Sequence, residues 1–193
     1  AWAFLKRWRM RYFTVGNPEF LILILGCQRS GTTLIERIFR TDLDSVVFGE
    51  YCELTIASDR TVWQPLDQVQ SKIASCNAKY TVAKPLFESD RALELLAYFP
   101  TAYVIWLFRD PTSVVHSMKK KWDDQFFEIS RKVESDEEGR WRCESLVDEI
   151  EAEARSHPAL DERYALFWKK RNEIAFANGL DKNERVLFLN YET

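Results

Sequence analysis

From residue 20 onward, short apolar runs alternate with stretches of helical spacing. Phe20–Leu25 is an unbroken apolar run, followed by a helix predicted from about Thr32 to Phe39 and a strand over Ser45–Phe48. Tyr80–Ala83 reads as a further strand, and a helix from about Asp90 to Phe99 is ended by Pro100. Ala102–Phe108 is the next strand. It runs into a helix that Asp110 can cap, with Pro111 at the first helical position. Leu160, Tyr164, Phe167 and Ile174 mark a long helix closed by Gly179, and Arg185–Asn190 is the last buried strand. Runs that are apolar without strict alternation belong to strands buried on both faces, which predicts an α/β fold with a mainly parallel sheet covered by helices.

Two stretches fall outside this rhythm. Residues 1–19 form an extension in which Trp2, Leu5, Trp8 and Tyr12 lie on one helical stripe among Lys6, Arg7, Arg9 and Arg11, before Gly16-Asn17-Pro18 breaks the chain. A basic amphipathic helix of this kind can lie on an anionic membrane surface; packing of its aromatic residues on the domain is the plainer expectation. The stretch 119–157 is irregular and highly charged, from Lys119-Lys120-Lys121 to Glu134-Ser135-Asp136-Glu137-Glu138, and reads as an insertion or lid. The whole of 1–193 is expected to be a single domain.

Composition narrows the function classes. With 193 residues, 46% of them hydrophobic and 14% aromatic, the chain can build a sizeable core. The 27 Lys+Arg against 30 Asp+Glu leave a net charge of −3, which gives no general field for nucleic acid, so any anion site must be built locally. No apolar run approaches the roughly 18–20 residues that span a bilayer. Cys27, Cys52, Cys76 and Cys143 contain no Cys-x-x-Cys pair, and His116 and His157 lie far apart. No metal site is expected, and the cysteines read as reduced thiols, which favours a cytoplasmic setting.

The most informative segment is Gly26-Cys27-Gln28-Arg29-Ser30-Gly31-Thr32-Thr33, which follows a buried strand and opens a helix, a geometry that binds anions. Its frame is that of the nucleotide P-loop, with both glycines and the final Thr33 in place but Thr32 where the phosphate-binding lysine belongs. The fold expected is therefore a P-loop-NTPase-like three-layer sandwich. Without that lysine, and without an evident acidic partner for Mg²⁺, a kinase or ATPase would be handicapped. Arg29, the hydroxyls of Ser30, Thr32 and Thr33, and the backbone amides suit a shorter terminal anion without a metal. Cys27 is followed six residues later by Thr33 rather than by arginine, so a thiolate phosphatase is excluded and Cys27 reads as a small buried filler.

Arg29-Ser30-Gly31-Thr32-Thr33 after an apolar strand resembles the 5′-phosphosulfate loop of sulfotransferases that use 3′-phosphoadenosine 5′-phosphosulfate (PAPS). A second motif, Arg109-Asp110-Pro111-Thr112-Ser113-Val114-Val115-His116-Ser117-Met118, is similar to that family's 3′-phosphate motif, an arginine at a strand end with a serine eight residues on. The resemblance, which runs from about Leu21 to Thr193 apart from the irregular middle, implies that Arg29, Ser30, Gly31, Thr32 and Thr33 hold the 5′ end of the nucleotide. It implies that Arg109 and Ser117 read the 3′-phosphate, with Lys121 adding charge one turn further along. PAPS would be the co-substrate and adenosine 3′,5′-bisphosphate (PAP) the product.

Sulfuryl transfer needs a base for the acceptor proton and positive charge at the leaving phosphate. Glu50 follows strand Ser45–Phe48 through Gly49, at the carboxyl end where α/β folds bind ligands, and resembles the Gly-Glu catalytic glutamate of the tyrosylprotein and related branch. Glu53 is its backup. Lys84, in Ala83-Lys84-Pro85-Leu86-Phe87, resembles the Lys-Asp-Pro-Phe stretch with that branch's catalytic lysine, although Asp is absent here. Tyr191, in the terminal Asn190-Tyr191-Glu192, is similar to a tyrosine that approaches the nucleotide; Trp168 has two readings, one near the adenine and the other, commoner for an aromatic on this helix, in the core.

The segment Tyr51 to Arg60 lacks the close arginines expected for an acidic peptide, so the acceptor is expected to be a carbohydrate or small-molecule hydroxyl rather than a peptide tyrosine. The family's C-terminal nucleotide loop, and any targeting segment, are expected to lie beyond this fragment. Two alternatives stand beside this reading: a P-loop kinase-like phosphotransferase, and a non-catalytic nucleotide-binding domain.

Overall fold

The structure, a computed structural model, describes residues 5–6, 8–9, 18–56, 62–123, 152 and 159–192. Five strands form on the apolar runs: β1 (Phe20–Gly26), β2 (Ser45–Phe48), β3 (Tyr80–Ala83), β4 (Ala102–Phe108) and β5 (Val186–Asn190). All neighbours pair in parallel, in the order β2-β3-β1-β4-β5. Among the described residues, the helices that frame the sheet are α1 (Thr32–Thr41), α2 (Leu66–Ala74), α3 (Ala92–Tyr98), α4 (Pro111–Trp122) and α5 (Leu160–Ala177). The fold is the α/β three-layer arrangement expected from the sequence.

Because side chains alternate across a strand, β1 feeds two cores at once. Leu21, Leu23 and Leu25 pack with Val104 and Trp106 of β4 against Val69 and Ile73 of α2, Leu95 and Leu96 of α3, and Ala175 of α5. Ile22 and Ile24 face the other way, with Val82 and Leu107, onto Ile35 and Phe39 of α1. Each large side chain so buried contributes about 1.5–3 kcal/mol relative to exposure, and this two-sided burial favours an all-parallel sheet. A third cluster joins Val114 and Met118 of α4 to Tyr164 and Phe167 of α5. Cys27 is fully buried in it, the filler the sequence suggests.

Parallel pairing sends every strand's carboxyl end to one edge. Gly26 pairs with Leu107, Phe108 with Asn190, and Phe48 with Ala83. The order reverses at β1, with β3 and β2 to one side and β4 and β5 to the other, so the loop after β1 opens at the switch point where such sheets hold ligands. Gly26 is required there. Its φ is +125°, and a Cβ would stand 2.3 Å from the Leu107 carbonyl oxygen.

Local signals account for the helix limits. Asp110 caps α4, its carboxylate accepting from the Ser113 amide at 2.7 Å, and Pro111 is the first helical residue. Gly179, at φ +66°, follows α5. The helix expected from Asp90 instead begins as a 3-10 turn over Leu86–Arg91, and α3 proper starts at Ala92. Ser89 explains the tighter turn: its hydroxyl donates to the Leu86 carbonyl at 2.8 Å and accepts from the Gly26 amide at 3.2 Å, tying this segment to β1. Helix α2 was missed by the sequence reading, although Val69 and Ile73 lie one turn apart behind Pro65.

Of the amino-terminal helix, Leu5, Lys6, Trp8 and Arg9 are described and helical. Lys6 Nζ donates to the Arg40 carbonyl at 3.1 Å and Arg9 pairs with Asp44 at 2.8 Å, so two of its basic residues bind the domain, while Trp8 is 47% exposed. Of the stretch 119–157 expected to be an insertion or lid, Lys119–Trp122 belong to α4, and residues 124–151 and 153–158 lie outside the described residues. Cys27, Cys52 and Cys76 form no disulfide among the described residues, and Cys143 lies outside them. Among the described residues, no helix is long and apolar enough to cross a membrane, and no cluster of His, Cys, Asp or Glu is arranged to hold a metal.

Candidate functional site

The loop Gly26–Thr33 hands β1 to α1 at the carboxyl edge. Gly31, at φ +95°, is the N-cap of α1, and no side chain caps the helix. The first amide of α1 recorded with a helical partner is that of Leu34, which donates to the Gly31 carbonyl at 2.8 Å. The amides before it belong to the turn whose donors a helix leaves unsatisfied, the usual partner of an anion. Arg29 stands at φ +69°, a left-handed conformation that costs a non-glycine residue roughly 1 kcal/mol or more. Ser30 is fully buried and Gln28 is 4% exposed, yet neither Ser30 Oγ nor either polar atom of the Gln28 amide has a hydrogen-bond partner among the described residues. A buried polar group left so costs about 1–3 kcal/mol, which fits a loop built to meet a polar ligand.

Three cations stand on or beside this loop: Arg29 within it, Arg109 behind the Tyr191 ring that covers it, and Lys84 against Thr33. Arg29 Nε donates to Ser117 Oγ of α4 at 3.0 Å, and the guanidinium lies 5.8 Å from the centroid of the Trp122 ring. Ser117 thus joins the loop's own arginine rather than Arg109, and the two motifs meet through this bond. Arg109, at the end of β4, lies over the Tyr191 ring at 4.3 Å, a stacked cation–π contact. Its Nε is 3.4 Å from Glu192 Oε1, an ion pair without hydrogen-bond geometry.

Tyr191 in turn covers the loop, its ring so close that a Cβ on Gly31 would stand 2.3 Å from Cδ2. Behind these groups, Trp168 Nε1 donates to the Arg109 carbonyl at 3.0 Å, and Glu192 accepts from the Asp110 amide at 3.3 Å. Trp168 therefore supports the end of β4.

The third cation is Lys84. It is only 5% exposed, and its Nζ reaches Thr33 Oγ1 at 3.3 Å, Glu36 Oε2 at 2.7 Å and Glu50 Oε2 at 3.6 Å. The positive charge that position 32 lacks thus enters the loop from the end of β3. Burial pushes the Glu50 carboxyl above the ordinary glutamate range against the pull of Lys84, and the nearby Glu36 charge adds to the rise. Burial also works to raise Glu36, but hydrogen bonds from Lys84 and Arg40 outweigh it and hold Glu36 below that range. A raised base facing an ionised neighbour across one ammonium is the arrangement that separates the roles of two carboxylates.

Not every expected residue joins this centre. Glu53 is exposed and paired with Lys72 of α2 at 2.9 Å, so it points away from Lys84. Lys121 is exposed on α4, one turn beyond Ser117. Thr32 is buried at the start of α1. Glu36, Gln28 and Glu192 were not singled out from the sequence. Only Glu36 carried a usable signal, since it follows Thr33 by three positions and so shares its helix face.

No protein-family model matches the chain, and a comparison with curated proteins finds no match.

Proposed function

We propose that the chain is a PAPS-dependent sulfotransferase acting on a hydroxyl of a carbohydrate or small-molecule acceptor. The observation that carries this reading is the position of Lys84 Nζ, which contacts a hydroxyl of the anion loop and lies within 3.6 Å of the Glu50 carboxylate. One cation thereby links the site of a terminal anion to a candidate base. The similarity of Arg29–Thr33 and Arg109–Ser117 to the sulfotransferase motifs supports PAPS as the donor, and the unpartnered Ser30 hydroxyl and Gln28 amide suit its polar 5′ end.

In this reading Arg29, Ser30, Gly31, Thr32 and Thr33 bind the 5′-phosphosulfate, while Arg109, stacked on Tyr191, and Ser117 face the 3′-phosphate. Glu50 accepts the proton of the acceptor hydroxyl as its oxygen attacks sulfur, and Lys84 neutralises charge growing on the departing phosphate oxygen. The raised Glu50 carboxyl is suited to this work, because a general base is most effective when it titrates near the working pH. No step asks for a divalent cation.

The test is transfer of radiolabelled sulfuryl from PAPS to a panel of sugar, phenol and alkyl hydroxyls, in the presence of a chelator. Label in an acceptor, undiminished by the chelator, is the expected result. Phosphoryl transfer from ATP that needs Mg²⁺ would replace this reading with a kinase-like one. Tight nucleotide binding with no transfer to any acceptor would replace it with a binding domain.

A further inference from the structure

We propose that Glu36 is a positioning residue, which rests on the functional reading above: Arg40 holds one of its carboxylate oxygens, the other carries Lys84, and the lysine is thereby fixed between Thr33 and Glu50. The division of oxygens is explicit. Arg40 Nε and Nη2 approach Oε1 at 2.9 and 2.7 Å, while Lys84 Nζ approaches Oε2 at 2.7 Å. Thr33, Glu36 and Arg40 lie three and four positions apart, so one stripe of α1 presents the loop hydroxyl, the carboxylate and its anchor in order.

The turn that carries Glu50 is fitted to the same pair. A Cβ on Gly49 would meet Glu36 Oε1 at 3.2 Å and Arg40 Nη2 at 3.3 Å, so the absence of a side chain lets the β2 turn close onto the carboxylate. A lysine with four methylenes, in the dry end of a parallel sheet, needs a partner that fixes where its ammonium sits. Glu50, at 3.6 Å, pairs with the ammonium more loosely than Glu36 does at 2.7 Å and, as the proposed base, must be left to meet the acceptor. Glu36 satisfies Lys84 and so spares Glu50 from a close ion pair.

The consequence reaches the base. Glu50 is faced by Lys84 from the end of β3 and by Glu36 from α1, while Glu36 is faced by Arg40 and Lys84, with the Cys52 thiol nearby. Removing the Glu36 charge takes away its repulsion of an ionised Glu50 and frees Lys84 to close on Glu50. Both changes favour the ionised form, so Glu50 becomes a weaker base that titrates at lower pH.

The experiment uses the full chain with Glu36→Gln and Glu36→Asp, following the Glu50 carboxyl by ¹³C NMR through an acid titration, with Glu50→Gln assigning the resonance. In Glu36→Gln the Glu50 titration is expected at lower pH, and kcat for sulfuryl transfer falls roughly ten- to hundredfold from misplacement of the ammonium. Glu36→Asp, which keeps the charge, returns both toward the parent. A merely structural ion pair would leave the Glu50 titration of the folded variant unmoved, and that result overturns the proposal.

If Glu36→Gln does not fold, the parent chain decides. Its Lys84 ¹⁵Nζ resonance should move in step with the Glu36 carboxyl, and a resonance that follows Glu50 alone overturns the proposal. The titrations need no activity. A chain that shifts as expected yet transfers no sulfuryl group would refute the functional reading while leaving Glu36 in its place.

Discussion

Replacing Glu50 by glutamine should lower turnover by about 10²–10⁴-fold while changing the affinity for adenosine 3′,5′-bisphosphate little. The carboxylate is partly buried beyond the end of β2 and faces Lys84, whereas Arg109 and Ser117, the residues proposed to read the 3′-phosphate, contact Tyr191 and Arg29. Glutamine keeps the shape and removes the proton acceptor, so the loss appears in kcat. In the parent chain the acid limb of the kcat profile should lie above the ordinary glutamate range, because burial raises the Glu50 carboxyl and the proposed reaction requires its ionised form. Steady-state rates across pH, with calorimetric titration of the nucleotide, measure both effects. Turnover like that of the parent in Glu50→Gln would remove Glu50 from the mechanism.

Lys84→Met should cost both catalysis and stability. Loss of the ammonium proposed to neutralise the departing phosphate should lower kcat by about 10²–10³-fold, the usual scale for a preorganised electrostatic contact. Stability at neutral pH should fall by about 3 kcal/mol, since breaking a buried ion pair leaves carboxylates uncompensated. Here Glu36 retains Arg40, but Glu50 retains no cation within the cluster.

The sign of the pH dependence follows from Glu36. Its carboxyl is held low in the folded chain, so its contribution is present above the unfolded value and is lost as pH falls through the folded one. The stability deficit of Lys84→Met should therefore be largest at neutral pH and shrink in acid. Denaturant unfolding of both proteins at a series of pH values measures it. A deficit that is constant with pH would assign the loss to packing of the lysine stem instead.

What was legible in the sequence divides along physical lines. The central strands β1 and β4 could be read because burial on both faces writes an apolar run, and the ends of α4 and α5 because Asp110-Pro111 and Gly179 are local signals. Strand β5, expected to be buried, is instead an edge strand with Leu187 57% exposed, because among the described residues only β4 pairs with it. Helix α2 could not be read with the same ease, since it buries only Val69 and Ile73 among polar neighbours. The order β2-β3-β1-β4-β5 is set by packing between distant segments, and no local pattern encodes it.

The site shows the same division. Arg29, Lys84, Glu50 and Arg109 were marked by their places at strand ends, which parallel pairing then gathers on one edge. The partners were not. Ser117 bonds Arg29 across 88 residues of sequence, because α4 leans over the anion loop, a matter of helix placement. Glu36 follows Thr33 by three positions on the same helix face, but only the approach of Lys84 from another strand gives that placement a role.

The most direct test of the account is calorimetric titration with adenosine 3′,5′-bisphosphate and, in parallel, AMP, in the parent chain and in Arg109→Ala. The two nucleotides differ only in the 3′-phosphate. Charge-assisted hydrogen bonds of about 1.5–3 kcal/mol predict a preference of roughly ten- to hundredfold for the bisphosphate, lost in Arg109→Ala. Equal affinity for the two nucleotides, or a preference that survives Arg109→Ala, would contradict the account.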